Sequence, residues 1–177
     1  MKKIGFLTFF YIFFLCIQLH AETKDIIGYG KTSWGMSLNE VLTAEPRAVK
    51  ISQPETFPAG EFKEGIVLAV IRNIDIIDEK FDVLFLFNKS TEKLVQVKIK
   101  NAIMPVSFNT QLFQSLEKSL TEKYGPPTYK STEGIVSWKF EKTSIELELM
   151  ILGFMPGSKI WISYEPSVTR ENSTRDL

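Results

Sequence analysis

The chain has 177 residues, with 21 basic and 21 acidic side chains and only one Cys and one His. This balance of charge gives no electrostatic reason to expect a nucleic-acid partner or an anionic lipid surface. Cys16 and His20 both lie near the N-terminus, so a chain without that segment has no Cys nucleophile, disulfide, Cys/His zinc site or His general base.

The N-terminal segment has the pattern of a secretory signal peptide. Lys2 and Lys3 precede an apolar run of about fifteen residues (5–19), and small Ala21 stands before polar Glu22. We predict that residues 1–21 are a signal peptide cut between Ala21 and Glu22. The protein is then exported, to the periplasm or the medium.

Two alternatives for this segment stay open, and only they would place the protein at a membrane. One is an uncleaved anchor, although a span needs roughly twenty apolar residues. The other is lipidation of Cys16, which follows Phe13-Phe14-Leu15 rather than the small residues typical of lipoprotein signals.

The remaining chain fits one domain. Cleavage removes Lys2 and Lys3 from the 21 basic residues and nothing from the 21 acidic ones, which leaves 19 against 21. A domain of this size buries roughly 70% of its unfolded surface, so packing replaces disulfides. A Cys-free exported domain is more typical of bacteria than of eukaryotes. We predict one domain over residues 22–165 and a disordered polar tail over 166–177.

The first half predicts a short helix and three strands. Ser37 and Glu40 have the spacing of a capping box, and Pro46 ends the helix that follows. Residues 51–60, with Pro54 and Pro58, are typical of a loop. Apolar runs and alternation then predict strands at 66–76, 81–87 and 95–99.

The second half predicts a longer helix and three more strands. Ser107 or Asn109 can cap the helix, and Gly125 ends it before two prolines. Strands are predicted at 135–140, 145–151 and 160–164, with a turn at 153–158 between the last two. The helix has one apolar stripe, made of Leu112, Phe113, Leu116, Leu120 and Tyr124.

A repeated tetrapeptide suggests an internal duplication. Glu64-Gly65-Ile66-Val67 recurs as Glu133-Gly134-Ile135-Val136, and each copy follows a predicted helix. We predict two α-β-β-β repeats, over 34–101 and 106–165. Short connections between strands require antiparallel pairing, and both helices should cover one face. The predicted fold class is therefore α+β.

One stretch resembles a known family. Trp34-Gly35-Met36-Ser37, followed by Glu40-Val41, is similar to the start of the first helix in SmpA/OmlA (BamE-like) envelope domains. The tandem layout resembles β-lactamase-inhibitor-like proteins. Thr43-Ala44-Glu45-Pro46 replaces the Leu-Gly-x-Pro that ends the family's helix pair, whereas Tyr124-Gly125-Pro126-Pro127 is similar to it. The resemblance implies an exported α+β domain, and BamE-like proteins are lipid-anchored partners in outer-membrane protein assembly.

The candidate site residues are aromatic. Trp161 alternates with Ile160 and Ile162, so it should lie on the open face of the sheet, where aromatic side chains anchor partners. The alternative is packing against Trp138 across strands. Trp34, just before the first helix, is either a second partner-binding residue or a staple against that helix.

Besides Lys and Tyr, only carboxylates remain as acid–base candidates. Glu146 and Glu148 share the wet face of one strand, where they either flank a sugar bond or are merely solvated. Asp75, Asp78 and Glu79 cluster at a predicted turn, without the spacing of a calcium loop. We predict no catalytic residue, metal or cofactor, and a carboxylate-dependent hydrolase is the remote alternative.

These observations predict a non-enzymatic exported protein. Its partner is another envelope or secreted protein, bound through the sheet face or the loop of Trp34. The alternative is an inhibitor of a secreted or periplasmic hydrolase, which inserts the turn at 153–158.

Overall fold

The computed structural model describes residues 25–59, 62–102, 110–151 and 158–167 of the chain. These residues form two helices and eight strands in one antiparallel sheet, whose order is β1-β2-β3-β4-β8-β7-β6-β5. The elements are α1 (Leu38–Ala44), β1 (Val49–Ala59), β2 (Phe62–Ile76), β3 (Glu79–Asn88), β4 (Leu94–Asn101), α2 (Thr110–Tyr124), β5 (Tyr129–Lys130), β6 (Ile135–Lys139), β7 (Thr143–Ile151) and β8 (Ser158–Pro166).

The centre of the sheet joins distant parts of the chain. Strands β1 to β4 pair in sequence, and so do β5 to β8. The two sets meet where β4 pairs with β8, with Val97 opposite Tyr164 and Ile99 opposite Ile162. Side chains of these two strands are therefore neighbours although the chain between them includes α2 and three further strands.

The predicted fold class, α+β with two α-β-β-β repeats, is wrong. The molecule is mostly a single eight-stranded sheet with two short helices. Strands β1 and β2 have 11 and 15 residues, whereas β5 and β6 have 2 and 5. The repeated tetrapeptides also differ in setting: Gly65 lies within β2 opposite Asn88, but Gly134 precedes β6 with φ +86°. The identical tetrapeptides therefore do not adopt equivalent structures.

The loop predicted at 51–60 is also wrong, because most of this segment belongs to β1. Strand β1 lies at the edge of the sheet, with β2 as its neighbour there. Proline is tolerated on an edge strand, where a missing N–H removes no ladder bond. Pro54 and Pro58 therefore fit a strand that the sequence pattern did not predict.

The start of α1 and the end of α2 follow the predicted signals. The backbone N–H of Ser37 donates to Glu40 Oε2 at 2.7 Å, which confirms the capping box. Hydrogen bonds from the Ser37 side chain and backbone hold the pKa of the Glu40 carboxyl below its usual value. Gly125 follows α2 with φ +86°, a left-handed conformation that glycine adopts without a Cβ clash.

One face of the sheet carries the main core. Strand alternation places Phe81, Val83, Phe85 and Phe87 of β3 on this face, together with residues of both helices. The four apolar residues of the α2 stripe that are buried there are Leu112, Phe113, Leu116 and Leu120. We call the opposite face the outer face. On β2 and β3 it carries a second buried cluster of Val67, Val70, Leu84 and Leu86.

Residues 25–36, which we call the N-terminal strap, also lie against the core. Tyr29 packs edge-on against Phe85 and Tyr164, with ring centroids 6.3 and 5.2 Å apart. The N-terminal strap is hydrogen-bonded to Thr143 of β7, which is fully buried. Its hydroxyl donates to the Ile26 carbonyl and accepts from Trp34 Nε1 at 2.9 Å.

Several predictions fall outside the described residues. They are the signal peptide (1–21) with Cys16 and the Ala21–Glu22 cleavage site, the helix caps Ser107 and Asn109, and nearly all of the turn at 153–158 and of the tail at 166–177. Strands β7 and β8 do pair as a hairpin, with Ile151 opposite Ser158.

Candidate functional site

The centre of the outer face carries polar side chains around Trp161. Because Ile160, Ile162 and Tyr164 of β8 point into the core, Trp161, Ser163 and Glu165 point outward. Pairing registers align outward residues in three rows, which are Glu165–Ser144–Lys139, Lys98–Ser163–Glu146–Ser137 and Lys100–Trp161–Glu148–Ile135. The side chain of Gln96 extends the first row through its hydrogen bond to Glu165.

Trp161 lies where its sequence alternation placed it, on the outer face, and it is partly buried. The Lys98 ammonium is 3.9 Å from the centroid of its ring, a cation–π contact. The indole Nε1 is buried and has no hydrogen-bond partner. Trp161 is therefore a partly exposed aromatic side chain whose single donor is buried without an acceptor.

Trp138 is not the partner of Trp161. It points into the core, where it is 1% exposed, and its Nε1 donates to the Gly125 carbonyl at 2.9 Å. Its cross-strand neighbour is Ile145, whereas Trp161 stands opposite Lys100 and Glu148. The two indoles thus lie on opposite faces of the sheet.

Trp34 takes part in the fold. It is partly buried against the main core, and its indole N–H binds Thr143 on β7. A role in partner binding stays a prediction for this residue.

Charged side chains are concentrated in these three rows of the outer face, and Lys98 is the most buried of them. Burial lowers the pKa of Lys98, and the carboxylates of Glu148, Glu165 and Glu146 oppose that shift in decreasing order. Glu146 remains exposed, yet the protein around its carboxyl displaces enough water to raise its pKa, and the charge of Glu148 raises it further. The ammonium over Trp161 is therefore held among three carboxylates.

A cavity of about 360 Å³ opens beside this cluster, and we call it the acidic cavity. Glu146 and Glu165 contribute carboxylates to its wall, and Ser137 and Ser144 contribute hydroxyls. Behind Glu165 lies Gln96, which is only 2% exposed. The remaining lining residues are Thr128, Tyr129, Trp138, Lys139, Pro166 and Ser167.

Gln96, next to Glu165, has one hydrogen-bonding atom without a partner. Its Nε2 donates to Glu165 Oε2 at 3.4 Å, while its Oε1 is buried and has no partner. A buried carbonyl without a donor is costly, and it needs an explanation. The sequence showed Gln96 and Lys98 on the wet face of β4 but gave no sign that they would lie beside Trp161 and Glu165.

The other carboxylate cluster forms part of a hairpin. Asp75 pairs with Lys80 Nζ at 2.5 Å, and Ile77 and Asp78 make the turn with φ of 50° and 62°. Within the part of the chain that the structure describes, no three His, Cys, Asp or Glu side chains gather as a metal site would require.

Comparison with models of protein families, with curated proteins and with solved structures finds no match. Neither helix among the described residues is long and apolar enough to cross a bilayer. Functional inference therefore rests on the geometry of the outer face.

Proposed function

We propose that the protein is an exported, non-enzymatic binding module that holds another envelope or secreted protein on its outer face. The observation that carries this proposal is Trp161, which is partly exposed on the outer face with Lys98 over its ring. Tryptophan is enriched among the few residues that dominate binding energy at interfaces. The part of the Trp161 side chain that stays exposed offers a partner an aromatic contact surface.

The arrangement of the carboxylates favours binding over hydrolysis. Glu146 and Glu148 point the same way from one strand, instead of facing each other across a bond to be cleaved. Lys98 lies within electrostatic reach of both. Such mixed charge around an aromatic residue suits the selection of a partner.

Export is supported by the signal pattern of residues 1–21. Asp25 Oδ1 accepts from the Lys142 backbone N–H at 3.1 Å. Cleavage between Ala21 and Glu22 would leave this contact and the N-terminal strap intact. The resemblance of residues 34–41 to BamE-like domains supports an envelope location. Membrane attachment is part of the proposal only if Cys16 is lipidated or the signal is retained.

Capture from envelope and secreted fractions tests the proposal. Protein with a C-terminal tag should recover one stoichiometric partner, and Trp161→Ala should recover at least about tenfold less, since an anchor residue contributes about 2 kcal/mol or more. Lys118→Ala is the matched control, because Lys118 lies on α2 with its side chain 78% exposed. Melting curves of all three proteins show whether they are folded.

If Trp161→Ala recovers the same partner in the same amount as the unchanged protein, the outer face around Trp161 is not the interface. If only Lys118→Ala loses the partner, the binding surface lies on the helix side.

A further inference from the structure

The two halves of the sheet are joined by a short ladder. It runs from Val97–Tyr164 to Lys100–Trp161, and we call it the seam. The ladders on either side are longer, because β7 and β8 pair from end to end and β3 pairs with nearly all of β4. In the described sheet, the seam alone connects strands β1 to β4 with strands β5 to β8. Its register therefore decides how the two halves are placed against each other.

Side-chain alternation fixes this register only in part. Four residues of the seam are buried in the main core, which are Val97, Ile99, Ile162 and Tyr164. A slip by one residue would turn the apolar side chains of one strand outward, so alternation excludes it. A slip by two residues would move the strands by roughly 7 Å and keep every side chain on its own face, because strand side chains repeat every two residues. Contacts outside the seam have to exclude this second slip.

The N-terminal strap is hydrogen-bonded to both sides of the seam within three successive residues. The Gly35 N–H donates to the Leu94 carbonyl of β4 at 2.9 Å, and the Leu94 N–H donates to the Met36 carbonyl at 2.8 Å. The preceding residue, Trp34, donates from Nε1 to Thr143 of β7 at 2.9 Å. Because β7 is paired with β8 along its whole length, a slip of roughly 7 Å at the seam would break the bonds on one side.

Packing and burial reinforce these bonds. The Tyr29 ring contacts Phe85 of β3 and Tyr164 of β8 edge-on, and β4 lies between these two strands. Thr143 is fully buried, and its hydroxyl also donates to the Ile26 carbonyl. Buried polar groups that lose their partners cost free energy. Release of the strap would therefore remove contacts from both sides of the seam.

We propose that the N-terminal strap is a clasp that holds β4 and β8 in register, so that the strap and the seam open together. The consequence reaches the opposite face of the sheet. The register of the seam brings the Lys98 ammonium to the ring of Trp161 on the outer face. A clasp on the core face thus sets the geometry of the outer face. By reciprocity, whatever binds the outer face in this register stabilises the docked strap.

Hydrogen exchange of the unchanged protein, followed by NMR at increasing denaturant concentration, tests the clasp. The strap reporters are the amides of Thr32, Trp34 and Gly35, each of which donates to a backbone carbonyl. The seam reporters are the amides among residues 97–100 and 161–164 that bond across the seam. Protection factors of the two groups should agree within about threefold and fall together with denaturant, since they report one opening. A difference of more than about threefold, or a separate denaturant dependence for each group, would overturn the proposal.

Thr143→Val tests the same coupling by substitution. It keeps the branched shape and removes the hydroxyl, so the Ile26 carbonyl and the Trp34 indole N–H each lose a partner. We expect protection to fall about tenfold at the strap and at the seam alike. Protection that is lost at the strap alone would show that the strap is a passive cover, and the proposal would be wrong.

Asp25→Asn is the matched control within the strap. Asp25 Oδ1 accepts from the Lys142 backbone N–H, and the amide oxygen of Asn can accept the same bond. The ion pair that this change removes is 3.7 Å long and joins a Lys142 side chain that is 59% exposed. Protection at the strap and at the seam should therefore change by no more than about twofold.

This inference goes beyond the proposed function and does not depend on it, because exchange is measured on the free protein. Joint opening of the strap and the seam, together with full partner capture by Trp161→Ala, would keep the clasp and reject Trp161 as the anchor. Independent opening, together with loss of capture in Trp161→Ala, would reject the clasp and keep the interface.

Discussion

Leu116→Ala should lower the free energy of unfolding by about 2–5 kcal/mol, because it removes a buried side chain and leaves a cavity. Leu116 is 2% exposed and lies in the main core with Leu112, Phe113 and Leu120 of the same helix. Such a loss is a large share of the roughly 5–15 kcal/mol that stabilises a domain. Denaturant melts followed by circular dichroism measure it directly.

Lys118→Ala is the control for this prediction. The Lys118 side chain is 78% exposed, and its one described ion pair, to Glu122, is 3.9 Å long on the helix surface. A change at such a site should stay within about 0.5 kcal/mol. If Lys118→Ala costs as much as Leu116→Ala, the assigned buried face of α2 is wrong, and α2 would no longer be the cover of the core face.

The second large effect is expected at Trp138. It is 1% exposed, and its Nε1 donates to the carbonyl of Gly125, just after α2. Trp138→Ala removes both the packing and this bond, so it should cost about 3–5 kcal/mol. Trp138→Phe keeps a ring and leaves the Gly125 carbonyl unpaired, so it should cost about 1–3 kcal/mol.

Denaturant melts of Trp138→Ala and Trp138→Phe separate the contribution of packing from that of the hydrogen bond to Gly125. Tyr129→Ala is the control at an exposed position. Tyr129 is 57% exposed and stands on β5, beside the strand of Trp138. A Trp138→Phe variant as unstable as Trp138→Ala would show that the hydrogen bond to Gly125, rather than burial, dominates.

Local signals in the sequence predicted the helices and six of the eight strands. The Ser37–Glu40 capping box, the left-handed Gly125 and the alternation of Ile160 and Ile162 each depend on a few neighbouring residues, so they can be found without the fold. Strand β1 was missed because Pro54 and Pro58 indicate a loop unless the strand is known to lie at an edge. Strand β5, with two residues, is too short to show alternation.

Long-range features could not be predicted in this way. The hydrogen bonds of Thr143 join residues 109 and 117 positions apart, and no periodicity connects them. The contacts of the candidate site on the outer face could not be predicted from sequence periodicity either. Alternation placed Trp161 on the outer face, but only the register of β4 against β8 brings Lys98 to its ring and Gln96 to Glu165.

Site-specific photo-crosslinking in living cells tests the central claim, that the outer face around Trp161 is the binding surface. A benzophenone amino acid at Lys159, which lines a surface recess with Trp161, should crosslink a single partner protein. The same group at Glu122 of α2, whose side chain is 68% exposed, should give no crosslink. A crosslink from position 122 and none from position 159 would contradict the account and place the interface on the helix side.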